Sequence, residues 1–319
     1  MKITVGTFNL NNLFSRFNFN ANISSVKSGN QVTYIFDEED NFKYRHFQGK
    51  LIKPKSHNAS LKIAQKIKDI NVDILCVQEV EDIGILKKFN KDYLGADKYR
   101  YVVLIEGNDP RFIDVGLLSR YPIGQISSWK EARYKNETRT VFSRDLLQVE
   151  ILNEARTKKL FTIFNTHLKS NFIQRNASDP LSVAAKNGER RRKQANAISD
   201  IIKSVTRPNS SFILLGDMND TPGSEFLEEF TLDAELSFTN ALANMIEVGE
   251  MNHTKYPPSN HFWTHRFSPQ SGVYHYNLYD QIWISNALTD NLSGAWVARR
   301  ERVGGDGSDH DPVWIELEI

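Results

Sequence analysis

Three aspartates surround one histidine near the end of the chain, in the sequence DGSDHDPVW at residues 306–314. A carboxylate beside an imidazole, as in Asp309 and His310, suits acid–base chemistry or metal binding. The same residues also suit an ordinary polar turn closed by Pro312. The segment VWIELEI at 313–319 then alternates apolar and polar residues, which predicts a half-buried strand. The rest of the chain must decide between these alternatives.

Four other polar segments each follow an apolar run that reads as a strand. They are TFNLNN (7–12), QEVED (78–82), NTHLKS (165–170) and GDMND (216–220). Open sheets gather their ligands at the carboxyl ends of their strands, so we expect these side chains to meet at one edge. The candidates in them are Asn9, Asn11, Glu79, His167, Asp217 and Asn219.

Two further candidates stand at the opposite ends of their strands. Asp280 opens the apolar run at 279–285, and the Ser-Asp-His triplet at 308–310 precedes the last strand. If all these groups meet, those two strands must run antiparallel to the first four. The pattern therefore predicts mixed sheets.

The chemistry of such a cluster is coherent. Glu79 and Asp309, with an amide oxygen of Asn9 or Asn11, are hard oxygen donors that suit Mg²⁺ or Mn²⁺. No Cys or His cluster has the spacing of a zinc site. A histidine with an acidic neighbour can activate water or stabilise charge on phosphorus, so hydrolysis of a phosphate ester follows.

Each element alone has a structural explanation. GDMND can be a capped turn, Glu79 a solvated charge, His167 a hydrogen-bonded structural histidine and Asp280 a strand cap. Their ordered recurrence at strand ends favours a site over these separate explanations.

Helices and strands alternate early in the chain, whereas several strands follow one another later. This order predicts an α/β or α+β fold with mixed sheets. No repeat or Pro/Gly-rich linker divides the chain, so we expect one domain over 1–319, with a long ordered loop or insertion at about 15–57. Helices are predicted at 59–70 and 188–205, and strands at 2–5, 73–77, 114–119, 145–152, 159–164, 211–215, 279–285 and 313–319.

The composition limits the possible partners and compartments. A net charge of +1 over 319 residues argues against a surface that binds polyanions throughout, so phosphate binding must be local. The one cysteine, Cys76, cannot form an internal disulfide and lies in the apolar run ILCV, which predicts a buried thiol. We see no signal peptide, membrane anchor or obligate protein partner, so a cytoplasmic protein is expected, although a mature secreted form would look the same.

The motifs VQEVED, NTHLKS, LGDMND, YDQIWIS and GSDHDPVW, in this order, resemble the endonuclease/exonuclease/phosphatase superfamily with its DNase I-like fold. TFNLNN is similar to the first motif of that superfamily, and DVGLLSRYPI at 114–123 to its middle strand. The resemblance runs from residue 2 to the last strand. It implies a four-layer α/β sandwich, two packed mixed sheets flanked by helices, a divalent metal ion and in-line attack of water on a phosphoester.

The resemblance also implies roles for individual residues. By position, Glu79 looks like the principal metal ligand with Asn9 beside it, and Asp309 and Asn11 would complete the metal environment. Asn11 replaces the aspartate of several members, which weakens the case for a second metal ion.

The catalytic residues are carried over in the same way. His310 paired with Asp280 resembles the catalytic dyad, and Asp217 the carboxylate that orients or deprotonates water. Asn219 is similar to its neighbour on the phosphate side, and His167 to the second histidine of DNase I-like and sphingomyelinase-like members. That histidine stands where abasic-site endonucleases carry a Tyr motif, which argues against a dedicated repair enzyme.

Basic residues support a nucleic-acid substrate. Arg144 stands where DNase-like members place a phosphate-contacting arginine, and Arg111, Arg120 and Lys169 could hold flanking phosphates, together with His167 and Asn219 at the reacting phosphate. The run of basic residues at 190–193 is interpreted as one exposed helix face, with a DNA-binding track as the alternative.

We therefore predict a metal-dependent phosphodiesterase, with a nuclease acting on DNA or RNA as the first hypothesis. A sphingomyelinase-like or small-molecule phosphodiesterase or phosphatase is the alternative, and the stretch HFWTHRF at 261–267 is the one hint of a lipid-facing surface. A catalytically inactive binding module is the third possibility, disfavoured because every expected position holds a competent residue. The choices between DNA and RNA and between endo and exo cleavage stay open.

Overall fold

Two mixed β-sheets, packed face to face, form the centre of the computed structural model. The structure describes residues 1–14, 55–95, 98–173, 177–233, 235–236, 238–248, 262–270, 273–299 and 307–319. Within these ranges the strands are β1 (Lys2–Leu13), β2 (Ile74–Val80), β3 (Tyr101–Leu104), β4 (Asp114–Ser119), β5 (Ile123–Ser128), β6 (Leu146–Leu152), β7 (Lys159–His167), β8 (Phe212–Asp217), β9 (Thr239–Asn240), β10 (Ile246–Val248), β11 (His265–Gln270), β12 (Val273–Asn277), β13 (Asp280–Ile284), β14 (Leu292–Ala298) and β15 (Val313–Glu318). The helices are α1 (His57–Ile70), α2 (Ile83–Phe89), α3 (Pro180–Val205) and α4 (Glu229–Leu232), with a π-helical turn at Asn90–Leu94 and a 3₁₀ helix at Asn286–Asn291.

The strand directions are those that the candidate site requires. In the first sheet, ordered β10-β14-β15-β1-β2-β4-β3, β1 runs parallel to β2 and antiparallel to β15. In the second sheet, ordered β5-β6-β7-β8-β13-β9, β7 runs parallel to β8 and β13 runs antiparallel to β8. Both sheets are mixed, as predicted, and β11 and β12 form a separate hairpin.

Alternate residues of each central strand face two different cores. Ile74 and Cys76 of β2 point into the core between the sheets, whereas Leu75 and Val77 point outward. Two-sided burial explains why these strands read as continuous apolar runs. Cys76 is a buried free thiol, as predicted.

Helices cover the outer faces of both sheets. Ile63 and Ile67 lie one turn apart on α1 and pack on the first sheet, and Ile198 and Ile202 of α3 pack on the second in the same way. The four layers confirm the predicted α/β sandwich.

Some boundaries differ from those predicted. Residues 15–54 of the predicted loop lie outside the described residues, so the loop at about 15–57 stays a prediction. Helix α1 begins at His57 instead of 59, and the Ser56 side chain accepts a hydrogen bond from the Ala59 amide there. Helix α3 begins at Pro180 instead of 188, capped by Asp179. The single domain over 1–319 stays a prediction.

The basic run at 190–193 does not form one exposed face. Four consecutive residues surround a helix, since each turns about 100° from the last. Arg191 is buried and paired with Asp220 at 2.8 Å, whereas Arg192 pairs with Glu225. Among the described residues, no helix is long and apolar enough to cross a membrane.

Candidate active site

The polar ends of six strands meet at one edge of the sandwich. Strands β1, β2, β7 and β8 reach this edge with their carboxyl ends, and the amino ends of β13 and β15 reach it from the opposite direction. Left-handed backbone conformations occur at this edge, where β1 and β2 leave regular register. Asn11, Asn12, Glu79 and Asn219 all have positive φ values, between 45° and 61°. Such strain persists where surrounding contacts determine the backbone, as at functional sites.

Asp217 lies at the centre of the cluster. Its Oδ2 accepts a hydrogen bond from Asn9 Nδ2 at 2.9 Å and lies 3.4 Å from His167 Nε2 and 3.8 Å from His310 Nε2. Its Oδ1 accepts the Asn219 amide at 2.9 Å. Burial raises the pKa of Asp217, although the charge of His310 and the hydrogen bond from Asn9 oppose this. A carboxylate of raised pKa is a competent proton acceptor.

His310 is held as a cation. Its Nδ1 lies 2.6 Å from Asp280 Oδ2, and its backbone amide donates to Ser308 Oγ at 3.1 Å. Burial alone would lower the pKa of His310, but the charges of Asp280 and Asp217 outweigh burial and raise it to about 10. The imidazolium can therefore donate a proton or a hydrogen bond at neutral pH.

His167 has the opposite protonation state. Burial lowers its pKa well below the ordinary value, and the charges of Arg144 and His310 lower it further. Its Nδ1 is buried and has no hydrogen-bond partner among the described residues. One neutral and one charged imidazole therefore flank Asp217, and environments that separate the pKa values of paired groups in this way are typical of acid–base sites.

Two carboxylates fit a divalent cation. Burial raises the pKa of Glu79, and the charge of Asp309 is the next largest cause. Burial would raise the pKa of Asp309 as well, but the neighbouring imidazole of His265, 3.6 Å away, and the charge of His310 hold it below its usual value. Mutual repulsion between hard oxygen donors is what a bound Mg²⁺ or Mn²⁺ would relieve, so the donor set fits such an ion.

A second set of possible ligands overlaps the first. One ligand atom each of His265, Asp309 and His310 lies within 4.8 Å of the others. His310 is a poor ligand, because metal binding needs a neutral imidazole and Asp280 keeps this one charged. Glu79 and Asp309 are therefore the better pair of ligands for a divalent cation.

The two predicted asparagine ligands are oriented within their own turn. Asn9 Oδ1 accepts the Asn11 amide at 2.9 Å while its Nδ2 donates to Asp217. Asn11 Oδ1 accepts Asn12 Nδ2 at 3.0 Å, and the Asn12 amide donates to Glu79 Oε2 at 3.1 Å. Each amide oxygen keeps a second lone pair, so metal ligation by Asn9 and Asn11 stays a prediction.

Arg144 lies buried beneath the loop that follows His167. Its Nε is 3.1 Å from Asp109 Oδ2, and its Nη1 donates to the Leu168 carbonyl at 3.0 Å. Asp109 also pairs with Arg111 at 3.0 Å. The phosphate contact foreseen for Arg144 stays a prediction; the contacts found make it an anchor of the loop.

Arg120 does not belong to this cluster. It pairs with Asp73 at 3.0 Å, just before β2 begins and therefore at the opposite end of that strand from Glu79. The interpretation of Arg120 as a flanking-phosphate ligand is wrong, because sequence proximity to a strand did not reveal which end of it the arginine occupies.

A polar bridge joins the two sheets just below the site. Gln78 Nε2 donates to Asn165 Oδ1 at 2.9 Å and to Thr7 Oγ1 at 3.0 Å, and Asn165 Nδ2 donates to the Gly116 carbonyl at 2.8 Å. Gln78 and Asn165 are fully buried. Sequence reasoning missed this bridge, although polar residues inside otherwise apolar strands were a visible signal.

His265 and Thr264 were also missed as parts of the site. His265 stacks on Tyr279 with ring centroids 5.1 Å apart and lies 3.6 Å from Asp309, and Thr264 Oγ1 accepts the Asp280 amide at 3.0 Å. Both stand in the stretch HFWTHRF, where His261 lies outside the described residues and Trp263 is buried. Only the return of the β11–β12 hairpin brings them here, so no local spacing could have revealed them.

Solved structures with this fold include three that align over almost the whole chain. An endonuclease/exonuclease/phosphatase from Bacteroides vulgatus is 16% identical, covers 100% of this chain and 99% of its own, and has a TM-score of 0.62. An AP endonuclease from Archaeoglobus fulgidus is 16% identical, covers 99% of this chain and 100% of its own, and has a TM-score of 0.58. A mannosyl-6-phosphatase from Bacteroides thetaiotaomicron is 14% identical, covers 99% of this chain and 100% of its own, and has a TM-score of 0.56. Identities this low establish the fold alone.

The sequence comparison establishes the family. No curated protein matches the chain. The profile described as Endonuclease/Exonuclease/phosphatase family matches residues 6–310, nearly the whole chain. The match confirms the resemblance drawn from the motifs and the prediction of a phosphoester hydrolase. The chain belongs to the endonuclease/exonuclease/phosphatase family.

Proposed function

We propose that this protein is a divalent-metal-dependent phosphodiesterase that hydrolyses nucleic acid, with Mg²⁺ or Mn²⁺ as its ion. The observation that carries the proposal is the position of Asp217 between a neutral His167 and a charged His310. That arrangement supplies a proton acceptor and a hydrogen-bond donor on either side of one reacting phosphate.

Asp217 orients the attacking water and accepts its proton, and Asn9 and the Asn219 amide fix the carboxylate for this task. His310 donates its Nε2 hydrogen to a phosphoryl oxygen, while Asp280 keeps the ring charged and aligned. His167 contacts a second oxygen of the phosphate, on the same side as Asn219.

Glu79 and Asp309, with Asn9 and Asn11 as further oxygen donors, would hold the divalent cation, which supplies charge neutralisation on a phosphoryl oxygen. The raised pKa of Glu79 supports this assignment, because burial and the neighbouring Asp309 disfavour its charged form unless a cation is close.

The choice of nucleic acid rests on local charge. The groups that lower the pKa of His167 include Arg144, Arg111 and Lys169, so the wall of the site beside this histidine is cationic. The chain as a whole has a net charge of only +1. A cationic wall confined to the site suits a substrate with several phosphates. We expect Arg144, His167 and Asn219 to face these phosphates.

The test is hydrolysis of supercoiled plasmid and of a single-stranded oligonucleotide with Mg²⁺ or Mn²⁺, beside a chelated control and Glu79→Ala. We expect metal-dependent cleavage that the variant loses. The name of the mannosyl-6-phosphatase indicates the competing substrate class, so sugar phosphates form a parallel arm. Release of phosphate from monoesters by a folded protein that leaves both nucleic acids intact would overturn the nuclease assignment.

A further inference from the structure

The segment that leaves His167 is fixed in place over helix α3. The Leu168 carbonyl accepts hydrogen bonds from Arg144 at 3.0 Å and from Asn219 Nδ2 at 3.2 Å. The amide of the next residue, Lys169, donates to Gln194 Oε1 at 2.9 Å. The segment therefore starts at the reacting centre with little freedom to move.

The outer part of this segment carries an exposed aromatic ring. The amide of Phe172 donates to Ser170 Oγ at 3.1 Å, and its carbonyl accepts Asn187 Nδ2 at 3.3 Å. Asn171 also donates to the Asn219 carbonyl at 2.5 Å. In spite of this fixed backbone, the Phe172 side chain is 70% exposed. A large apolar ring exposed to water costs hydration free energy, and a ligand that covers it would recover that cost.

Two cations lie in the same region, Lys169 three residues before Phe172 and Arg190 one turn along α3 from Asn187, and neither has a carboxylate partner among the described residues. The one hydrogen bond found from Lys169 Nζ goes to the Ser170 carbonyl, and Arg190 Nε is buried without any partner in that part of the chain. Five other basic residues of this region are paired with acids: Arg111, Arg144, Arg191, Arg192 and Lys193. Burial lowers the pKa of Lys169 to about 8, and the charges of Arg144, Arg111 and Arg190 act in the same direction. An anion placed here would relieve that repulsion.

We propose that Lys169, Arg190 and Phe172 form a nucleotide subsite, in which the cations bind the phosphate next to the scissile one and Phe172 stacks on an unpaired base. The inference rests on the proposed function and makes it more specific: the substrate is nucleic acid that is single-stranded beside the cleaved bond. A base inside a duplex has both faces covered, so it cannot stack on the ring.

The experiment compares kcat/KM for a single-stranded oligonucleotide, the same sequence as a blunt duplex, and methyl p-nitrophenyl phosphate, which has neither a base nor a second phosphate. We expect the ratio of oligonucleotide to small-diester activity to fall about tenfold in Phe172→Ala and in Arg190→Gln, mainly through KM. The preference for single strands should fall in Phe172→Ala. Leu232→Ala, at the same 70% exposure, and Arg192→Gln, two residues along α3 from Arg190, are the matched controls and should keep the wild-type ratios. Thermal unfolding checks that each variant is folded.

The outcomes separate the two levels of the proposal. Oligonucleotide cleavage with unchanged ratios in folded Phe172→Ala and Arg190→Gln would overturn the subsite and leave the nuclease intact. Failure of the wild-type protein to cleave any oligonucleotide, with hydrolysis of monoesters, would overturn both. An equal loss in the Arg192→Gln control would show that general surface charge is responsible, and this would also overturn the subsite.

Discussion

The side chain of Asn9 donates a hydrogen bond from Nδ2 to Asp217 Oδ2 across 2.9 Å, joining the first strand of one sheet to the second sheet. Both groups are almost completely buried. The amide can serve Asp217 in this way because its own oxygen is fixed by the Asn11 backbone. Asn9 therefore acts on the reaction by positioning Asp217 as well as through any metal contact.

Asn9→Ala should slow the reaction and destabilise the fold. A buried carboxylate that loses its donor costs about 1–3 kcal/mol, and the pKa of Asp217, already raised by burial, should rise further. If Asp217 must be ionised, the acid limb of the pH–rate profile should move to higher pH. Asn9→Asp should move it further, because it adds a second negative charge. The same loss at every pH in both variants would contradict this role.

Asp280→Asn should make the enzyme sensitive to alkaline pH. Burial favours the neutral imidazole of His310, and the charge of Asp280 is the largest effect that keeps its pKa at about 10. Without that charge His310 should deprotonate at lower pH, so we expect about a 100-fold loss in kcat/KM at pH 8.5 and a smaller loss at pH 6. The pH–rate profile and an NMR titration of the histidine check this. A loss independent of pH would indicate that Asp280 only aligns the ring.

Divalent cations should stabilise the folded protein independently of catalysis. An ion that binds the native state alone raises its free energy of unfolding by about 2.7 kcal/mol at one hundred times its Kd. We expect Mg²⁺ and Mn²⁺ to raise the melting temperature, and Glu79→Gln to abolish the rise because one charged ligand is removed. Glu137→Gln, an exposed acid paired with Lys193, is the control and should keep it. An unchanged rise in Glu79→Gln would place the ion elsewhere.

The effects of substituting Gln78 and Asn165 on the free energy of unfolding should be strongly coupled, because the two side chains form a buried bridge. Gln78→Leu or Asn165→Leu alone leaves a buried polar partner unsatisfied and should cost about 1–3 kcal/mol or more, since the larger side chain also strains the core. The double variant should be more stable than the sum of the two losses predicts, because no polar group of the pair is then left behind. Urea unfolding in a double-mutant cycle measures the coupling, and additive losses would refute it.

Asp145, immediately before β6, should make the free energy of unfolding depend on pH in the acidic range. Burial raises its pKa to about 6, although the hydrogen bonds that it accepts oppose this. A carboxyl with a folded-state pKa above its unfolded value favours the fold at pH below about 4, and this contribution is lost as pH rises through 6. Asp145→Asn should therefore gain stability relative to wild type by up to about 3 kcal/mol between pH 4 and 7. Asp200→Asn, on the exposed side of α3, should show no such trend in urea unfolding.

The polar ends of the central strands and the directions of these strands were predictable from the sequence. Buried strands are continuous apolar runs, and the candidate site residues consistently followed or preceded those runs. Strand β14, LSGAWVA, was not foreseen, since glycine and half-exposed positions weaken its pattern and its pairing with β15 decides its structure. His265 was not predicted as a site residue for a related reason, because its position depends on a hairpin that returns to the site. Arg191 was misjudged because its partner Asp220 stands 29 residues away in the chain.

The bridge of Gln78 and Asn165 has a consequence for partly folded states of the protein. Glu79 and Asn9 belong to one sheet, and His167 and Asp217 belong to the other, so the candidate catalytic groups meet only while the sheets are closely docked. A swollen, molten-globule-like state would keep its strands and helices but separate these groups. We therefore expect enzymatic activity to disappear under mild acid or denaturant before the far-UV circular dichroism changes.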